Sequence, residues 1–348
     1  MPRVAIEAKG IGLDLFKFLF RIFIILAVPA ALALLTFLYM KEHLFDPMEV
    51  GNTKTVLVDI PANSSVGDIG DILKEKQIVK AGWVVSILAT IRSRGGQIQS
   101  GEYELNKAMS PKDVLDKLVS GDSFKRKVET EPGQKIEEVA EALQHAGIIA
   151  EKDFTEACRK QDLLVRAGIS AQSFEGYLFP NKYEFSKGTP VARIIWKMLE
   201  EGENVWKPEY TAKAEELQLS RHEVLTLASL LLAETTIESE MAIISGVFHN
   251  RMENLMKLKS KPALLYGLGD FEGEWTEDQY LDAENLYNTF AQYGLPPGPI
   301  NNPGIKAIEA ALFPKEHQFL FFANDGAGGH LYAENLREFN DIQLKLGR

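Results

Sequence analysis

The longest apolar segment of the chain lies near its N-terminus. Residues 22–40 carry no charged side chain, and only Pro29 and Thr36 interrupt the apolar run. As a helix this segment would be roughly 28 Å long, close to the hydrocarbon thickness of a bilayer. Residues 1–21 carry four Lys or Arg side chains, whereas the fifteen residues after Met40 carry two. This asymmetry predicts a cytoplasmic tail at 1–21, a transmembrane helix at 22–40 and an extracytoplasmic body.

Two other interpretations of this segment are a cleaved signal peptide and a buried core helix. The small residues Ala31 and Ala33 resemble a signal-peptidase site, but the apolar run continues for several residues beyond them. The continuation favours an uncleaved, single-pass anchor.

Short strands and capped helices are predicted after the anchor. Residues 54–60 are rich in β-branched side chains and predict a strand, and residues 65–68 have the pattern of a helix capping box. A second strand is predicted at 101–105, followed by a helix at 110–121 with proline near its start and glycine at its end. We therefore expect a small strand–helix module at 54–125.

The apolar positions of this module recur further along the chain. Residues Val66, Ile69, Leu73 and Ile78 match Ile136, Val139, Leu143 and Ile148 at a constant offset of 70 positions. Any two amphipathic helices share a 3.6-residue period, which accounts for the first three matches. The shared preceding turn and the trailing isoleucine favour a true repeat instead. A second strand–helix unit at 126–150 is therefore one of two interpretations, within a C-terminal domain at 126–348.

One predicted core helix carries the main chemical candidate. Residues 191–219 are predicted to be helical and to close into a loop at 217–219, and a capping box at 220–223 begins the next helix. Residues 224–233 include only two polar side chains, so this helix belongs in the core, and Glu234 follows it directly. A desolvated carboxyl has a raised pKa and holds its proton near neutral pH, as the general acid of glycosidic-bond cleavage requires. The alternative is that Glu234 begins the solvated end of the helix or pairs with Arg251.

The C-terminal part predicts a rigid turn and a hairpin. Residues 294–299 contain three prolines and two glycines, a turn that would wall a cleft. Residues 319–323 predict a strand, 324–329 a glycine-rich turn and His330 the start of a returning strand. Because EF-hand spacing is absent, the turn is not expected to bind calcium. His330 is expected to pack or hydrogen-bond rather than to bind a metal.

Charge and cysteine content exclude several classes of function. The formal net charge is −11, which argues against a nucleic-acid partner because phosphate binding requires a basic surface. Cys158 is the only cysteine, which excludes an intrachain disulfide and any multi-cysteine metal site. The sequence has neither an H-E-x-x-H motif nor a P-loop. We expect no metal and no cofactor.

Several short motifs follow one another along the body of the chain. Together they resemble those of the endolytic murein transglycosylase (YceG-like) family, membrane-anchored bacterial enzymes that cut the glycan strands of peptidoglycan. The resemblance extends over about residues 54–345. The motifs are EGYLFP at 175–180 and the segments at 228–235, 247–251, 266–267, 287–289, 294–298, 303–304 and 325–330.

The resemblance implies an α+β fold with a transmembrane helix, a LysM-like α/β module and a lysozyme-like catalytic domain. It implies that Glu234 is the catalytic acid of a lytic transglycosylase, which cleaves the β-1,4 bond between N-acetylmuramic acid and N-acetylglucosamine and leaves 1,6-anhydro ends. It implies no cofactor, a place in the inner membrane with a periplasmic body, and cell-wall synthases as partners. The residues expected to bind the glycan are Glu240, Asn250, Tyr287, Asn288 and Thr289.

The sequence departs from the family pattern at a few acidic positions. Leu232 stands where the family usually has a glutamate, and Lys261 stands where it usually has an aspartate. Asn181 replaces another usual aspartate after the EGYLFP motif, and Lys259 adds a second cation beside Lys261. These changes remove acidic groups from the expected cleft, and they affect expectations about rate and substrate orientation more than the fold.

Two alternative functions remain open at the level of sequence. The first is a murein-binding scaffold protein with weak or no catalysis, which the two lysines favour. The second is a hydrolytic muramidase, which needs a second carboxylate to activate water or form an intermediate. Glu238 and Glu240 are the nearest carboxylates in sequence.

Overall fold

The computed structural model of the protein describes residues 7–269 and 277–347, with side chains described from residue 16 onward. The chain divides into two compact units, 1–124 and 125–348. The described residues form three separate two-stranded antiparallel sheets among many helices. The prediction of a mixed α+β protein is therefore confirmed, and the small sheets leave most of the packing to helices.

The first unit begins with the long apolar helix α1 (Glu7–Leu44). Within it, Phe16–Leu44 is the one described segment that is long and apolar enough to cross a membrane, and its apolar side chains are almost all exposed. Exposed apolar side chains on all faces exclude the alternative of a buried core helix. The helix is longer than the predicted segment 22–40, since residues 7–21 and 41–44 are also helical.

In the remainder of the first unit, three helices pack with one two-stranded antiparallel sheet. Strand β1 (Thr55–Ile60) pairs antiparallel with β2 (Gly101–Asn106), and the helices are α2 (Val66–Glu75), α3 (Trp83–Ile91) and α4 (Pro111–Ser120). The predicted capping box is present at Ser65, and a second one begins α4 at Ser110; both hydroxyls accept from the backbone N–H three residues later. The strands and helices predicted here from local pattern are confirmed.

The second unit starts with a similar strand and helix. Strand β3 (Arg126–Glu129) pairs antiparallel with β4 (Lys182–Phe185), and between them lie α5 (Ile136–His145), α6 (Glu151–Cys158) and α7 (Gln161–Arg166). Helix α5 begins 70 positions after α2, and both helices have ten residues. The N–H of Ile148 donates to the carbonyl of Leu143 (3.0 Å), as Ile78 does to Leu73 (2.8 Å). The sequence-matched positions thus share one local geometry.

The rest of the second unit is mainly helical. Its elements are α8 (Val191–Val205), α9 (Pro208–Glu216), α10 (Arg221–Glu234), α11 (Glu238–Glu253), α12 (Lys261–Leu268), α13 (Glu277–Leu281), α14 (Ile305–Leu312), the antiparallel strands β5 (Phe321–Asn324) and β6 (His330–Ala333), and α15 (Leu336–Lys345). The prediction of helix over 191–219 that closes into a loop at 217–219 is wrong at 206–207, where the helix is interrupted. Proline at the start of α9 restricts the residue before it and cannot donate a backbone hydrogen bond, so one helix ends and another begins.

Helix α10 is the centre of the second unit. All its residues from Val224 to Leu231 are buried, and it packs against α9, α11, α12 and α14. Ser220 begins the helix with the predicted capping box. A helix surrounded by other helices in this way projects its last residue from a rigid core, and that residue is Glu234.

Candidate active site

Glu234 occupies the junction between the buried helix α10 and a partly open surface. The following residue, Thr235, has extended backbone and ends the helix. The side chain of Glu234 is half-buried, and desolvation raises the pKa of its carboxyl. A hydrogen bond from Ser260 and the charges of His330 and Arg251 oppose this rise. The carboxyl is therefore suited to hold a proton and to release it when negative charge is stabilised nearby.

One long-range hydrogen bond orients this carboxyl, and two more hold its donor in place. The hydroxyl of Ser260 donates to Oε1 of Glu234 over 2.5 Å. Ser260 is fully buried, and its N–H donates to the hydroxyl oxygen of Thr289 (2.8 Å), while the Thr289 hydroxyl donates to the Ser260 carbonyl (3.1 Å). Thr289 is 1% exposed, so it lies behind the acid and supports it through Ser260.

The buried cation near Glu234 is not directly paired with it. The Nε of Arg251 donates to the carbonyl of Leu320 (2.6 Å), and one of its terminal nitrogens donates to the carbonyl of Leu258. Burial lowers the pKa of Arg251 to about 10, and the charge of Glu234 opposes that change. Arg251 therefore acts on the Glu234 carboxyl through its charge. The alternative prediction that the two residues pair is met only by this electrostatic interaction, without a direct contact.

Glu240 forms a locked pair with His330. The Nδ1 of His330 lies 2.8 Å from Oε2 of Glu240, and the His330 backbone N–H donates to Oε1 over 3.0 Å. Thr235, the residue after the candidate acid, also donates from its hydroxyl to Glu240 (3.3 Å). Both ionisable side chains are largely buried, at 15% and 6% exposure. The pair joins the β5–β6 hairpin to the first turn of α11, and the Thr235 bond links both to the end of α10. His330 thus forms the hydrogen bond expected of it.

Three other residues predicted to bind glycan lie in different surroundings. The amide of Asn250 donates to the carbonyls of His317 (2.9 Å) and Phe319 (3.0 Å), which fixes the segment before β5. Asn288 is fully buried, and its amide donates to three backbone carbonyls between residues 279 and 282. Tyr287 is half-buried and its ring lies 4.9 Å from that of Tyr266. The two asparagines fix the backbone of loops, and Tyr287 packs against the ring of Tyr266.

A cleft of about 310 Å³ opens beside the last turn of α10. Leu232 and Ala233 form the side adjacent to Glu234, Tyr266 belongs to the facing helix α12, and Asn301 lies in the loop before α14. The remaining lining residues are Gly133, Lys135, Pro262, Leu265, Gly269 and Ile300. The cleft combines apolar walls with a few polar groups, which is typical of small-molecule sites.

A second buried carboxyl, which the sequence analysis did not single out, lies behind this cleft. Glu175 is 4% exposed, and desolvation raises its pKa to about 8. The amide of Asn302 donates to it (3.1 Å), and the hydroxyl of Tyr266 lies 3.4 Å away. Asn302 also accepts from the N–H groups of Gly176 (2.9 Å) and Leu178 (3.0 Å). These hydrogen bonds connect the EGYLFP motif to the wall of the cleft. The only sequence signal for this connection was the glutamate in the motif.

A larger cavity of about 780 Å³ lies at the opposite end of α10. Tyr177, Trp196, Trp206, Arg221 and His222 are among its lining residues. Neither Glu234 nor any residue predicted to bind glycan lines it. The smaller cleft is likewise not lined by Glu234 or by those residues, but it is lined by Leu232 and Ala233, which directly precede Glu234 in the chain.

The departures from the family pattern fall at different places. Leu232 lines the cleft, so an apolar side chain stands where a carboxylate is usual. Lys259 and Lys261 are exposed, and the cations that lower the pKa of Glu234 are His330 and Arg251 instead. Asn181 is exposed beside β4, where its N–H donates to Thr130 (3.1 Å) and its amide to Glu201 (3.4 Å).

Across the described residues, no three His, Cys, Asp or Glu side chains converge in a manner that could hold a metal ion. In the turn at 324–329, the acidic side chain accepts hydrogen bonds from the backbone of the turn itself. Asp325 accepts from the N–H groups of Ala327 (2.7 Å) and Gly329 (2.9 Å). These backbone donors lower the pKa of Asp325 and shape the turn that presents His330.

Comparisons with known proteins identify the relatives of this chain. The YceG-like family matches residues 58–345. A Bacillus subtilis (strain 168) protein named endolytic murein transglycosylase is 30% identical over 324 residues, covering 89% of each chain. A Streptococcus pneumoniae (serotype 2) protein of the same name is 28% identical, and the alignment covers 93% of this chain but 64% of that protein. The crystal structure of a yceG-like protein from Listeria monocytogenes has a TM-score of 0.56 at 28% identity, covering 83% of this chain and 99% of that one.

Proposed function

This chain belongs to the YceG-like family, and we propose from that membership and from its site that it is an endolytic murein transglycosylase. Its substrate is the glycan strand of peptidoglycan, and it cleaves the β-1,4 bond between N-acetylmuramic acid and N-acetylglucosamine within the strand. Relatives with 28–30% identity over most of the chain carry that name. The observation that carries the chemistry is the desolvated, hydrogen-bonded carboxyl of Glu234 at the end of α10.

Glu234 serves first as an acid and then as a base. Desolvation raises the pKa of the carboxyl and so favours its protonated form, which donates to the leaving glycosidic oxygen. The resulting carboxylate is stabilised by the Ser260 hydroxyl and by the charge of Arg251. It then accepts the proton of the muramic 6-hydroxyl, whose oxygen attacks C1 and closes a 1,6-anhydro ring. The sugar supplies its own nucleophile, so a single carboxyl is sufficient.

The carboxylates that a hydrolytic muramidase would use are already engaged. Glu240 is bonded to His330 and Thr235. Glu238 is exposed and lies 2.9 Å from the ammonium of Lys306. These partnerships support a mechanism with one acid over one that needs a second carboxylate to activate water.

We assign the two units of the chain different tasks. Residues 54–125 form the LysM-like module that holds the glycan or places the enzyme on it, and residues 126–348 form the lysozyme-like catalytic domain. The strand–helix arrangement of the first unit and the buried acid-bearing helix of the second support this division. The strand–helix unit at 126–150 shares local geometry with the first module and adjoins the catalytic part.

The apolar helix α1 places the enzyme at its substrate. We propose that it anchors the chain once in the cytoplasmic membrane, with residues 1–21 inside and the body in the periplasm. The length and apolar surface of Phe16–Leu44 support the anchor, and the Lys/Arg asymmetry supports the orientation. Cell-wall synthases, which work at the same membrane surface, are the partner class that this location favours.

Digestion of purified murein by the full chain in detergent micelles tests the function. A lytic transglycosylase leaves 1,6-anhydro ends inside former strands, a muramidase leaves reducing ends, and a scaffold protein binds murein without cutting it. Mass spectrometry of the released fragments distinguishes the three. Products with reducing ends alone, or binding with no cleavage, would overturn the proposal.

A further inference from the structure

We propose that the first unit contacts the membrane surface through the indole ring of Trp83, which lies in the lipid headgroup layer beside the end of α1. The partner of this surface is lipid, not a second protein. This inference rests on the proposed anchor and is independent of the proposed catalytic chemistry. It adds a second membrane contact, on a helix that is separate from the anchor.

Three aromatic rings stack where α1 leaves its apolar segment. Trp83 is the first residue of α3, and its ring centroid lies 6.4 Å from that of Tyr39 and 6.1 Å from that of His43. The rings of Tyr39 and His43, one turn apart on α1, are separated by 4.1 Å. The indole is therefore held beside these two turns of the anchor helix.

The sequence sets the depth of these two turns in the membrane. The apolar run ends at Met40, and the charged residues Lys41 and Glu42 follow it directly. Helical side chains tilt toward the N-terminus, so the Tyr39 ring points back toward the membrane interior. The headgroup layer on each side of the hydrocarbon is roughly 5–7 Å thick, about the distance from the Tyr39 ring to the Trp83 ring. A spanning α1 therefore holds the Trp83 ring in this layer.

Further contacts fix α3 to the end of α1 directly, without a flexible linker. Leu44, the last residue of α1, is 6% exposed and belongs to one apolar cluster with Val84 of α3. The ammonium of Lys80 lies 3.0 Å from a carboxylate oxygen of Glu42. Because these contacts join the anchor to the module, insertion of α1 also brings Trp83 to the interface.

The chemistry of this surface matches the boundary between hydrocarbon and headgroups. The Trp83 side chain is 38% exposed although it stacks on α1, and α3 carries no charged side chain along its nine residues. Indole has an apolar body and an N–H donor, and tryptophan is enriched at both membrane–water interfaces for that reason. The lipid around α1 supplies an apolar layer and hydrogen-bond acceptors at the same level. The continuity of this surface with the anchor is the reason that we assign it to lipid.

Fluorine NMR on the full chain in lipid nanodiscs tests this contact. Biosynthetic 5-fluorotryptophan labels the four tryptophans of the chain, and Trp83→Phe identifies the resonance of interest. Nitroxide-bearing lipid broadens resonances near the headgroups, whereas a soluble gadolinium chelate broadens those open to water. We expect nitroxide lipid to abolish the Trp83 resonance. Trp196 and Trp206, half-buried residues of the second unit, are the internal references and should keep theirs.

The outcomes distinguish lipid from the other environments of the ring. A Trp83 resonance lost with the chelate but kept with nitroxide lipid would place the ring in water and overturn the proposal. A resonance kept with both reagents would mean that protein encloses the ring, which would also overturn it. Equal loss of all resonances in nitroxide lipid would remove the specific contact. The proposed anchor fails separately, if alkaline carbonate extracts the full chain from membranes.

Discussion

The hydroxyl of Ser260 donates a 2.5 Å hydrogen bond to the carboxyl of Glu234, although 26 positions separate the two residues. Thr289 holds Ser260 in turn, through one bond in each direction. The orientation of the acid is therefore set by two loops that converge on the end of α10. If Glu234 is the proposed acid, this bond makes Ser260 a positioning residue, and its replacement should have measurable effects.

Ser260→Ala should move the pH dependence of the reaction. The Ser260 hydroxyl favours the charged form of Glu234, so its loss raises the pKa of that carboxyl further. In the proposed mechanism the protonated acid begins the reaction, so the alkaline limb of the kcat/KM profile should move to higher pH, while the maximal rate falls. Ser245→Ala is the control, because Ser245 is also fully buried but its hydroxyl has no hydrogen-bond partner among residues 7–269 and 277–347. An alkaline limb at the same pH in both variants would contradict this role.

Thr289→Val tests how the support behind the acid contributes. Valine keeps the shape of threonine and removes the bonds to Ser260, so the carboxyl loses its fixed orientation. We expect kcat to fall, by up to about 100-fold for a displacement of an ångström, with a smaller change in KM. A raised KM with unchanged kcat would instead support the sequence-based prediction that Thr289 binds glycan.

Glu234→Gln should abolish cleavage and leave the fold intact. Glutamine resembles a protonated carboxyl in shape and cannot transfer a proton, so the loss should be at least about 10²- to 10⁴-fold. Release of anhydro ends from murein is the measurement, with melting temperature as a check on folding. Glu238→Gln is the matched control because that side chain is exposed and paired with Lys306. Substantial turnover by Glu234→Gln, with Glu240→Gln inactive instead, would move the acid elsewhere.

Glu175→Gln should change how stability depends on pH. Burial raises the pKa of Glu175 from 4.5 to about 8, so the folded state binds this proton more tightly than the unfolded state. The stabilisation is complete below about pH 4.5 and is lost as the pH rises through about 8. Glutamine does not ionise, so the variant should melt above the unmodified chain at pH 9 and close to it at pH 5. Equal differences at both pH values would show that Glu175 does not titrate in this range.

The proposed orientation of α1 in the membrane rests on the excess of Lys and Arg before residue 22. Reporter domains fused after Leu44 and after Arg348 should both show export from the cytoplasm. A reporter that is active only outside the cytoplasm gives a direct readout. Cytoplasmic activity of the second fusion would reverse the topology.

The sequence by itself determined the features that depend on neighbouring residues. The capping boxes at Ser65, Ser110 and Ser220 start helices where the pattern predicts them, because each box is closed by bonds between residues three positions apart. The apolar run before Glu234 likewise indicated a buried helix ending in a carboxyl. The break before Pro208 could also have been predicted, because proline restricts the residue before it. It was missed because the helical periodicity is present on both sides of the break.

Only the tertiary structure decided which distant side chains meet. Asn250 and Asn288 look like binding residues in their motifs, yet their amides bond to backbone carbonyls of loops. Ser260 and Asn301 attracted no attention in sequence, yet one holds the acid and the other lines the cleft. Hydrogen-bond capacity belongs to the residue type and can be read from sequence. Whether that capacity is satisfied by a loop, by the acid or by a ligand depends on contacts across long stretches of chain, which local periodicity does not encode.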